Sequence, residues 1–364
     1  MVQAATIEDR IPEQMESHHR SPSINLMTTE YIITIIVPIY NNEAFLQEAL
    51  NSLSEQDLDS VEIVLVNDGS TDLSPDIIEA FRHTRPHIKT LHTENQGVSA
   101  ARNLGIHVSS GQFLCFLDGD DIMHPNSISE FKRIIGKHSP DIIIGGATQF
   151  SNESNMMSQR RYTEDTGVLN IEDSSWITRE YIHGNYDHAN WNKCYKSSII
   201  KANDVHFIPE LSSSEDMIFN WHFWSHARTV QFTEYSIIAY RIHDTSVTRT
   251  SDRPYMFLSC LAVIHDTRDK LNPTTFLHAI QYMQRKLWFE IFTEFSFSKH
   301  SPSMFLRNCR RHLHVLFTLR SEYTSINRRN FIVDKLPGLI PLLTATLTMR
   351  VMLKKSVAGV TNQR

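Results

Sequence analysis

Apolar runs of four to six residues alternate with helical patterns from residue 32 to residue 145. The runs, each long enough for one strand, lie at residues 32–37, 61–66, 88–91, 112–117 and 141–145. Between them, helical patterns begin near Glu43, at Ser74, at Gly97 and at Pro125. Regular alternation of this kind is typical of parallel strands that are joined by crossover helices. The sequence therefore predicts an α/β fold, with a mostly parallel sheet and helices on both of its faces.

The fourth apolar run ends in an acidic cluster at residues 118–121 (DGDD). In open α/β sheets, ligands bind beyond the carboxyl ends of the strands, and Asn41, Asp68 and Asp118 all lie at such ends. Carboxylates this close repel one another unless a cation gathers them, and Mg²⁺ or Mn²⁺ binds carboxylate together with phosphate oxygens. The cluster thus suggests a metal ion with a nucleotide diphosphate. Taken alone, however, it is better explained as a solvated acidic turn that caps the helix at Pro125.

Missing motifs disfavour several classes of protein. No Gly-x-Gly-x-x-Gly follows the first run, and no Gly-x-x-x-x-Gly-Lys-Ser/Thr loop is present, so a dinucleotide-dependent dehydrogenase and a phosphate-loop ATPase are disfavoured. The four cysteines and 19 histidines are dispersed, without the spacing of a zinc site. Scattered cysteines are typical of a reducing compartment, and residues 1–30 lack the apolar core of a signal peptide. We therefore expect a cytoplasmic protein in which residues 1–30 form a disordered lead.

The C-terminal part of the chain is basic. Residues 301–364 hold 11 Lys and Arg against two acidic residues, a net charge of +9, whereas residues 1–300 carry −15. Helical periodicity predicts an α-helical region over residues 251–364, in which basic residues alternate with apolar ones. That pattern favours docking on the inner face of an anionic membrane over binding to nucleic acid. The alternative is that these helices only pack on the preceding domain.

Four motifs follow one another in the first half of the chain. They are VPIYNNE at residues 37–43, VNDGSTD at 66–72, NQGVSAARN at 95–103 and DGDD at 118–121. Their order and spacing resemble those of the family 2 glycosyltransferases with the GT-A fold. A weaker similarity continues through WxKxY at 191–195, Glu215–Asp216 and YRxHxxS at 240–246. The resemblance implies a GT-A domain over residues 31–250, of the type that builds bacterial surface polysaccharides.

The resemblance also implies a set of donor-binding residues, namely Pro38, Tyr40, Glu43, Asp68, Arg102 and Asp118. In this set Asp68 accepts the ring N–H of a uracil, while Pro38 and Tyr40 line the base pocket. The guanidinium of Arg102 lies beside the diphosphate, which is an anionic partner for it. Two other interpretations are open. Asp68 caps the helix that begins at Ser74, and Arg102 forms a surface salt bridge.

Metal binding and catalysis fall to a second set of residues. The resemblance makes Asp120 the direct ligand of Mn²⁺ or Mg²⁺, with Asp118 as a second contact. His243 is a further candidate ligand, for which a structural role is an equal alternative. Asp216 becomes the general base that takes the proton of the acceptor hydroxyl, and Glu215 supports it as a hydrogen-bond acceptor. Acidic residues also stabilise the first turn of any helix, and we expect an amphipathic helix to begin at this pair.

Together these features predict a metal-dependent inverting glycosyltransferase that moves a sugar from a nucleotide-diphosphate donor, such as a UDP-sugar, to a hydroxyl of a glycan or lipid-linked acceptor. A nucleotidyltransferase is an alternative, but it typically needs a basic Gly-rich loop after its first strand. A catalytically inactive sugar-nucleotide-binding relative is a second alternative, but such a protein would have lost Asp120 or Asp216. A glycoside hydrolase also uses two carboxylates, yet it needs neither Asp68 nor an acidic metal cluster.

Overall fold

The computed structural model describes residues 31–85, 88–151, 154–160, 167–170, 188–211 and 215–243, with only the backbone described for 154–160. The predicted N-terminal lead at residues 1–30 and the predicted helical region at residues 251–364 lie outside the described residues.

The described residues form one ten-stranded sheet with helices packed on it. The strands are β1 (Ile33–Ile39), β2 (Val61–Asp68), β3 (Lys89–Thr93), β4 (Phe113–Phe116), β5 (Ile122–Met123), β6 (Ile142–Ser151), β7 (Ser154–Arg160), β8 (Leu169–Asn170), β9 (Lys193–Lys196) and β10 (Thr229–Arg241). The helices are α1 (Leu46–Ser54), α2 (Ser74–His83), α3 (Val98–Val108), α4 (Ser127–His138), α5 (Ser197–Ala202) and α6 (Glu215–Trp224).

The strand order is β3-β2-β1-β4-β9-β6-β10-β5, with β7 paired to β6 and β8 paired to β10. The first four strands in this order are parallel to one another, and β10 runs parallel to β6. Strand β9 is antiparallel to both of its neighbours, β4 and β6. The sheet is therefore mixed, and its parallel half carries the predicted ligand-binding edge at the carboxyl ends of β1, β2 and β4.

Both faces of the sheet are covered, as predicted. One buried cluster packs α1, α2 and α4 on the sheet through residues such as Leu50, Phe81 and Phe131. The other packs α3, α5 and α6 on the opposite face through residues such as Ile106 and Phe219. Because side chains alternate between the two faces of each strand, the central strands are buried on both sides. The predicted α/β architecture with flanking helices is confirmed.

Strand β1 continues through Pro38 to Ile39, so the predicted end of this strand at residue 37 is wrong. Pairing between β1 and β4 ends at Ile36, whose carbonyl accepts the N–H of Leu117 at 3.0 Å. Beyond that point β1 pairs only with β2, where Pro38 lies opposite Val66. A proline is tolerated there because no ladder hydrogen bond from β4 requires its missing N–H.

Helix α6 is buried all round, so the prediction of an amphipathic helix is wrong. Every residue from Met217 to Trp224 is buried, including the polar Asn220 and His222. The segment contains apolar side chains on all of its faces, and a helix of that composition belongs in a core. Its acidic first turn, Glu215–Asp216, is as expected.

Candidate functional site

A cavity of about 570 Å³ opens at the carboxyl ends of β1 and β2. It is lined by residues 40–45 of the loop after β1, by Thr71 and Asp72 of the loop after β2, and by Asp120 and His243. Two hydrogen bonds brace the loops. The N–H of Glu43 donates to Oδ2 of Asp72 at 2.8 Å, and the N–H of Leu73 donates to Oε2 of Glu43 at 2.9 Å. The cavity lies where open α/β sheets bind ligands, and its volume is typical of a small-molecule site.

Three predicted donor-binding residues come from β1 and the loop that follows it. Tyr40 and Glu43 line the cavity, and the side chain of Tyr40 is 47% exposed, which leaves its ring accessible to a ligand. The carboxylate of Glu43 is engaged in bracing the start of α2. Pro38 is buried inside β1 and does not line the cavity.

Asp68 holds the start of α3. Its Oδ1 accepts the N–H of Gln96 at 2.9 Å, and its Oδ2 accepts the N–H of Gly97 at 2.7 Å. Gly69 permits this close approach, because its φ is +72° and a Cβ there would lie 2.6 Å from the backbone nitrogen of Asn95. The helix held by Asp68 is thus α3, and the interpretation that it caps α2 is wrong. Oδ1 also accepts the hydroxyl of Thr93 at 3.3 Å, whereas Oδ2 accepts only the N–H of Gly97 among the described residues and keeps capacity for a hydrogen bond from a ligand.

Arg102 joins three carboxylates that come from two distant parts of the sequence. Its Nη2 donates to Oδ1 of Asp118 at 2.8 Å, and its Nη1 donates to Oδ1 of Asp216 at 2.8 Å and Oε1 of Glu215 at 3.0 Å. The arginine side chain is 3% exposed, and the carboxylates are between 15% and 26% exposed. Helix α3, the end of β4 and the start of α6 converge here. The structure thereby brings two predicted donor-binding residues together with the predicted catalytic pair.

Burial raises the pKa of Asp216 to about 8. The positive charges of Arg102 and Lys193 act in the opposite direction, while the charges of Glu215 and Asp118 raise the pKa further. A carboxyl group that ionises near pH 8 is a stronger base than an ordinary aspartate, whose pKa is about 4. A carboxyl group with such a perturbed pKa, close to the carboxyl ends of the parallel strands, is a candidate for proton transfer.

Asp120 and His243 face each other at the cavity wall. Nε2 of His243 lies 3.0 Å from Oδ2 of Asp120. Burial raises the pKa of Asp120 and the charge of Asp118 raises it further, whereas the contact with His243 lowers it. In the part of the chain that the structure describes, no group of three or more His, Cys, Asp and Glu is arranged to hold a metal ion. A metal ion bound by Asp120 and His243 would need further ligands from a bound substrate.

Asp121 and Arg241 fix the backbone of the acidic turn. Asp121 is buried and accepts the backbone N–H of Arg241 at 2.9 Å, so it braces the turn. The guanidinium of Arg241 lies over the rings of Phe45 and Phe150, and its Nε donates to the carbonyl of Asp120 at 2.9 Å. Sequence reasoning missed this arginine, although its place in the YRxHxxS motif was a signal that could have found it.

Residues 34–197 match the model of glycosyl transferase family 2. This segment is a family 2 glycosyltransferase domain. The match covers β1 to β9 and includes Asp68, Arg102 and the DGDD turn, whereas Asp216 and His243 follow it.

Two bacterial proteins that are named as glycosyltransferases resemble the chain beyond that segment. EpsH of Bacillus subtilis strain 168, which is named as a glycosyltransferase, is 31% identical over 64% of this chain and 66% of EpsH. The uncharacterized glycosyltransferase YibD of Escherichia coli K12 is 30% identical over 62% of this chain and 65% of YibD. The chain therefore spans just under two thirds of the length of each relative.

The fold of the glycosyltransferase domain is shared with a solved structure. Residues 1–349 of TarS from Staphylococcus aureus superpose with a TM-score of 0.56 at 21% identity, over 74% of this chain and 75% of that one. The predicted GT-A fold is confirmed, and the predicted family is confirmed for residues 34–197, whereas the activity of the whole protein remains a proposal.

The predicted boundary of the domain and the predicted membrane docking involve residues that the structure does not describe. Within the described residues, no helix combines the length and the apolar character needed to cross a membrane. The domain boundary predicted at residue 250 and the basic region at 251–364 lie outside the described residues. The domain limits, the cytoplasmic location and docking on a membrane remain predictions.

Proposed function

We propose that this protein transfers a sugar from a nucleotide-diphosphate donor, a UDP-sugar, to a hydroxyl group of a glycan or lipid-linked acceptor, with inversion at the anomeric carbon. The observation that carries the proposal is the buried contact of Arg102 with Asp118, Glu215 and Asp216 at the carboxyl edge of the sheet. This contact supports the proposal, because a direct displacement between two substrates requires a base next to the bound donor.

Asp216 is the proposed general base. Ionised Asp216 accepts the proton of the acceptor hydroxyl while that oxygen forms its bond to the anomeric carbon and the nucleoside diphosphate leaves from the opposite face. The raised pKa of about 8 makes its carboxylate a better proton acceptor, and the ion pair with Arg102 keeps a usable fraction ionised near neutral pH. Glu215 accepts a hydrogen bond from the same guanidinium nitrogen as Asp216 does, and it thereby helps to orient the side chain of Arg102.

The candidate ligands of a divalent cation are Asp120, His243 and Asp118, of which one or two would bind it at a time. Their chemistry suits Mg²⁺ or Mn²⁺, because such ions use one or two carboxylates together with substrate phosphates and do not need a cage of protein ligands. The raised pKa of Asp120 supports the assignment, since it reflects a buried carboxylate beside the charge of Asp118. When bound, the cation would neutralise the charge that develops on the departing diphosphate.

The relatives support the donor class and the biological setting. TarS of Staphylococcus aureus is named as a poly(ribitol-phosphate) β-N-acetylglucosaminyltransferase, and it is 27% identical over 54% of this chain and 33% of TarS. Its crystal structures include complexes with UDP and with UDP-GlcNAc. We therefore propose that the present protein uses a UDP-sugar in the synthesis of a bacterial cell-surface polysaccharide.

The decisive experiment measures release of nucleoside diphosphate from a panel of nucleotide sugars, first without and then with glycan extracts. We expect release of UDP from one or a few UDP-sugars. In Asp216→Asn the rate of this release should decrease by roughly 10²–10⁴-fold, as is typical when a general base is removed. Asp204→Asn, at an exposed loop carboxylate, is the matched control and should be fully active. Release of pyrophosphate instead would identify a nucleotidyltransferase. Nucleotide-sugar binding without turnover would identify an inactive relative.

A further inference from the structure

We propose that Asn220 is a positioning residue for the general base Asp216, and that Tyr195 anchors it. This inference rests on the proposed function. It gives a role to the tyrosine of the WxKxY motif at residues 191–195, which the donor and metal sites leave without one.

Asn220 joins three separate parts of the domain through its side-chain amide. Its Nδ2 donates to the carbonyl of Asp216 at 2.8 Å and to the carbonyl of His188 at 2.7 Å. Its Oδ1 accepts the hydroxyl of Tyr195 at 2.7 Å. Asn220 and Tyr195 are both fully buried. A buried amide with both of its polar atoms satisfied has a strongly preferred position, because any shift leaves a polar group unpaired.

Tyr195 connects this amide to the strand that lies beside the acidic turn. In β9 it is the register partner of Leu114 in β4, and β4 leads directly into Asp118. Its ring packs against Phe219 and Phe223 of α6, with ring centroids 5.5 Å and 5.1 Å away. The hydroxyl thus sets the position of α6, which carries the base, relative to β4, which carries the acidic turn.

The start of α6 needs such a restraint. Glu215 and Asp118 are like charges that meet at one guanidinium, joined by Asp216 when it is ionised, and their mutual repulsion favours separation of the helix from the strand. Asn220 lies one helical turn after Asp216 and binds its carbonyl directly, so it restrains the backbone from which the base projects. Misplacement of a reacting group by about 1 Å costs on the order of 10²-fold in rate.

The test compares Tyr195→Phe and Asn220→Leu with Phe223→Leu. The control variant shortens an apolar side chain on the same helix, against the same tyrosine, and leaves the polar contacts in place. We expect kcat to fall by roughly 10- to 100-fold in the first two variants, with the affinity for UDP unchanged. Phe223→Leu should lose thermal stability and keep its kcat. Equal losses of kcat in Tyr195→Phe and Phe223→Leu at matched stability would overturn the proposal.

A second measurement does not depend on turnover. The carboxyl carbon of Asp216, identified in ¹³C NMR by its absence in Asp216→Asn, is titrated in each variant without substrate. We expect its midpoint to move to higher pH in Tyr195→Phe and Asn220→Leu, because Asp216 loses its fixed contact with Arg102, and to stay in place in Phe223→Leu. Identical titrations in all variants would refute the positioning role. If the midpoints move but no sugar transfer is found even for the wild type, the positioning role stands and the proposed function fails.

Discussion

Arg102 and Asp216 form an ion pair of 2.8 Å between residues that are 114 positions apart in the sequence. The same guanidinium binds Asp118 at 2.8 Å, so one side chain of α3 contacts both the proposed base and the acidic turn. A buried ion pair of this kind contributes less to stability than its distance suggests, because both groups lose their hydration. Its value lies in setting the position and the ionisation of Asp216.

The proposed glycosyltransferase activity should rise with pH. Because Asp216 must be ionised to act as a base and its pKa is about 8, kcat/KM should increase about tenfold per unit below pH 8 and level off above it. Lys193→Met should move the rising part of this pH profile to higher pH. A positive charge favours the carboxylate form of Asp216, so its removal raises the pKa of Asp216. The measurement is initial rate between pH 5.5 and 9.5 with the donor below KM.

Lys196→Met is the control for the effect of Lys193. Lys196 lies in the same strand but points to the other face, where it pairs with Asp141 at 3.4 Å. Its replacement removes the same net charge and should leave the profile unchanged. An identical pH profile for wild type and Lys193→Met would show that this ammonium does not act on the base.

Donor binding should depend on a divalent cation through Asp120 and His243. Asp120→Asn and His243→Gln should each weaken binding of UDP in the presence of Mn²⁺, and a chelator should weaken binding to the wild type, because the diphosphate loses its counter-charge. Isothermal titration calorimetry measures both effects. Asp57→Asn, at a carboxylate that is 52% exposed and paired with Lys132, is the control. Binding that is insensitive to both the chelator and the two substitutions would rule out the metal site.

The sequence patterns of neighbouring residues correctly predicted several strands and the start of one helix. The apolar runs gave β1, β2 and β4, and the acidic cluster at residues 118–121 was correctly placed at the end of a strand. The helix at Ser74 begins with a proline in its first turn, as expected from the fixed φ of that residue. These features depend on a few neighbouring residues and could be read from the sequence directly.

Long-range contacts were not predictable in this way. Nothing in the residues of β9 shows that the strand inserts antiparallel between β4 and β6, because that placement depends on pairing across about 50 to 80 residues. Arg102 was expected beside a diphosphate, and the structure places it against three carboxylates, two of which lie more than 100 positions away. The family resemblance suggested which residues belong to the site, whereas their contacts required the structure.

The basic region should attach the protein to anionic membranes. Each basic residue near such a surface contributes about 1 kcal/mol, so reversing Lys354 and Lys355 to Glu should weaken vesicle binding by roughly 30-fold or more. Co-sedimentation with anionic and neutral vesicles at two salt concentrations measures it. Arg82→Glu with Arg85→Glu, on the surface at the end of α2, changes the net charge equally and is the control. Equal recovery with both vesicle types would rule out membrane docking by the basic region.

Asp68→Asn tests whether one carboxylate serves both α3 and the nucleotide base. An asparagine offers one acceptor and places an amide N–H₂ against the N–H of Gln96 or Gly97, so one of the two hydrogen bonds is lost. Hydrogen bonds to a charged acceptor contribute about 1.5–3 kcal/mol, and the free energy of unfolding should decrease by about that amount. If the same carboxylate accepts the ring N–H of uracil, the affinity for UDP should fall as well.

Thr93→Val separates the two effects. It removes a hydroxyl 3.3 Å from Oδ1 of Asp68 and leaves the carboxylate in place, so it perturbs the start of α3 without removing the proposed base contact. We expect a smaller loss of stability and an unchanged affinity for UDP, measured by chemical denaturation and calorimetry on the same samples. If Asp68→Asn binds UDP as tightly as the wild type does, Asp68 acts only on the helix. Recognition of the base would then fall to Tyr40, whose exposed ring lines the cavity and can stack on any base.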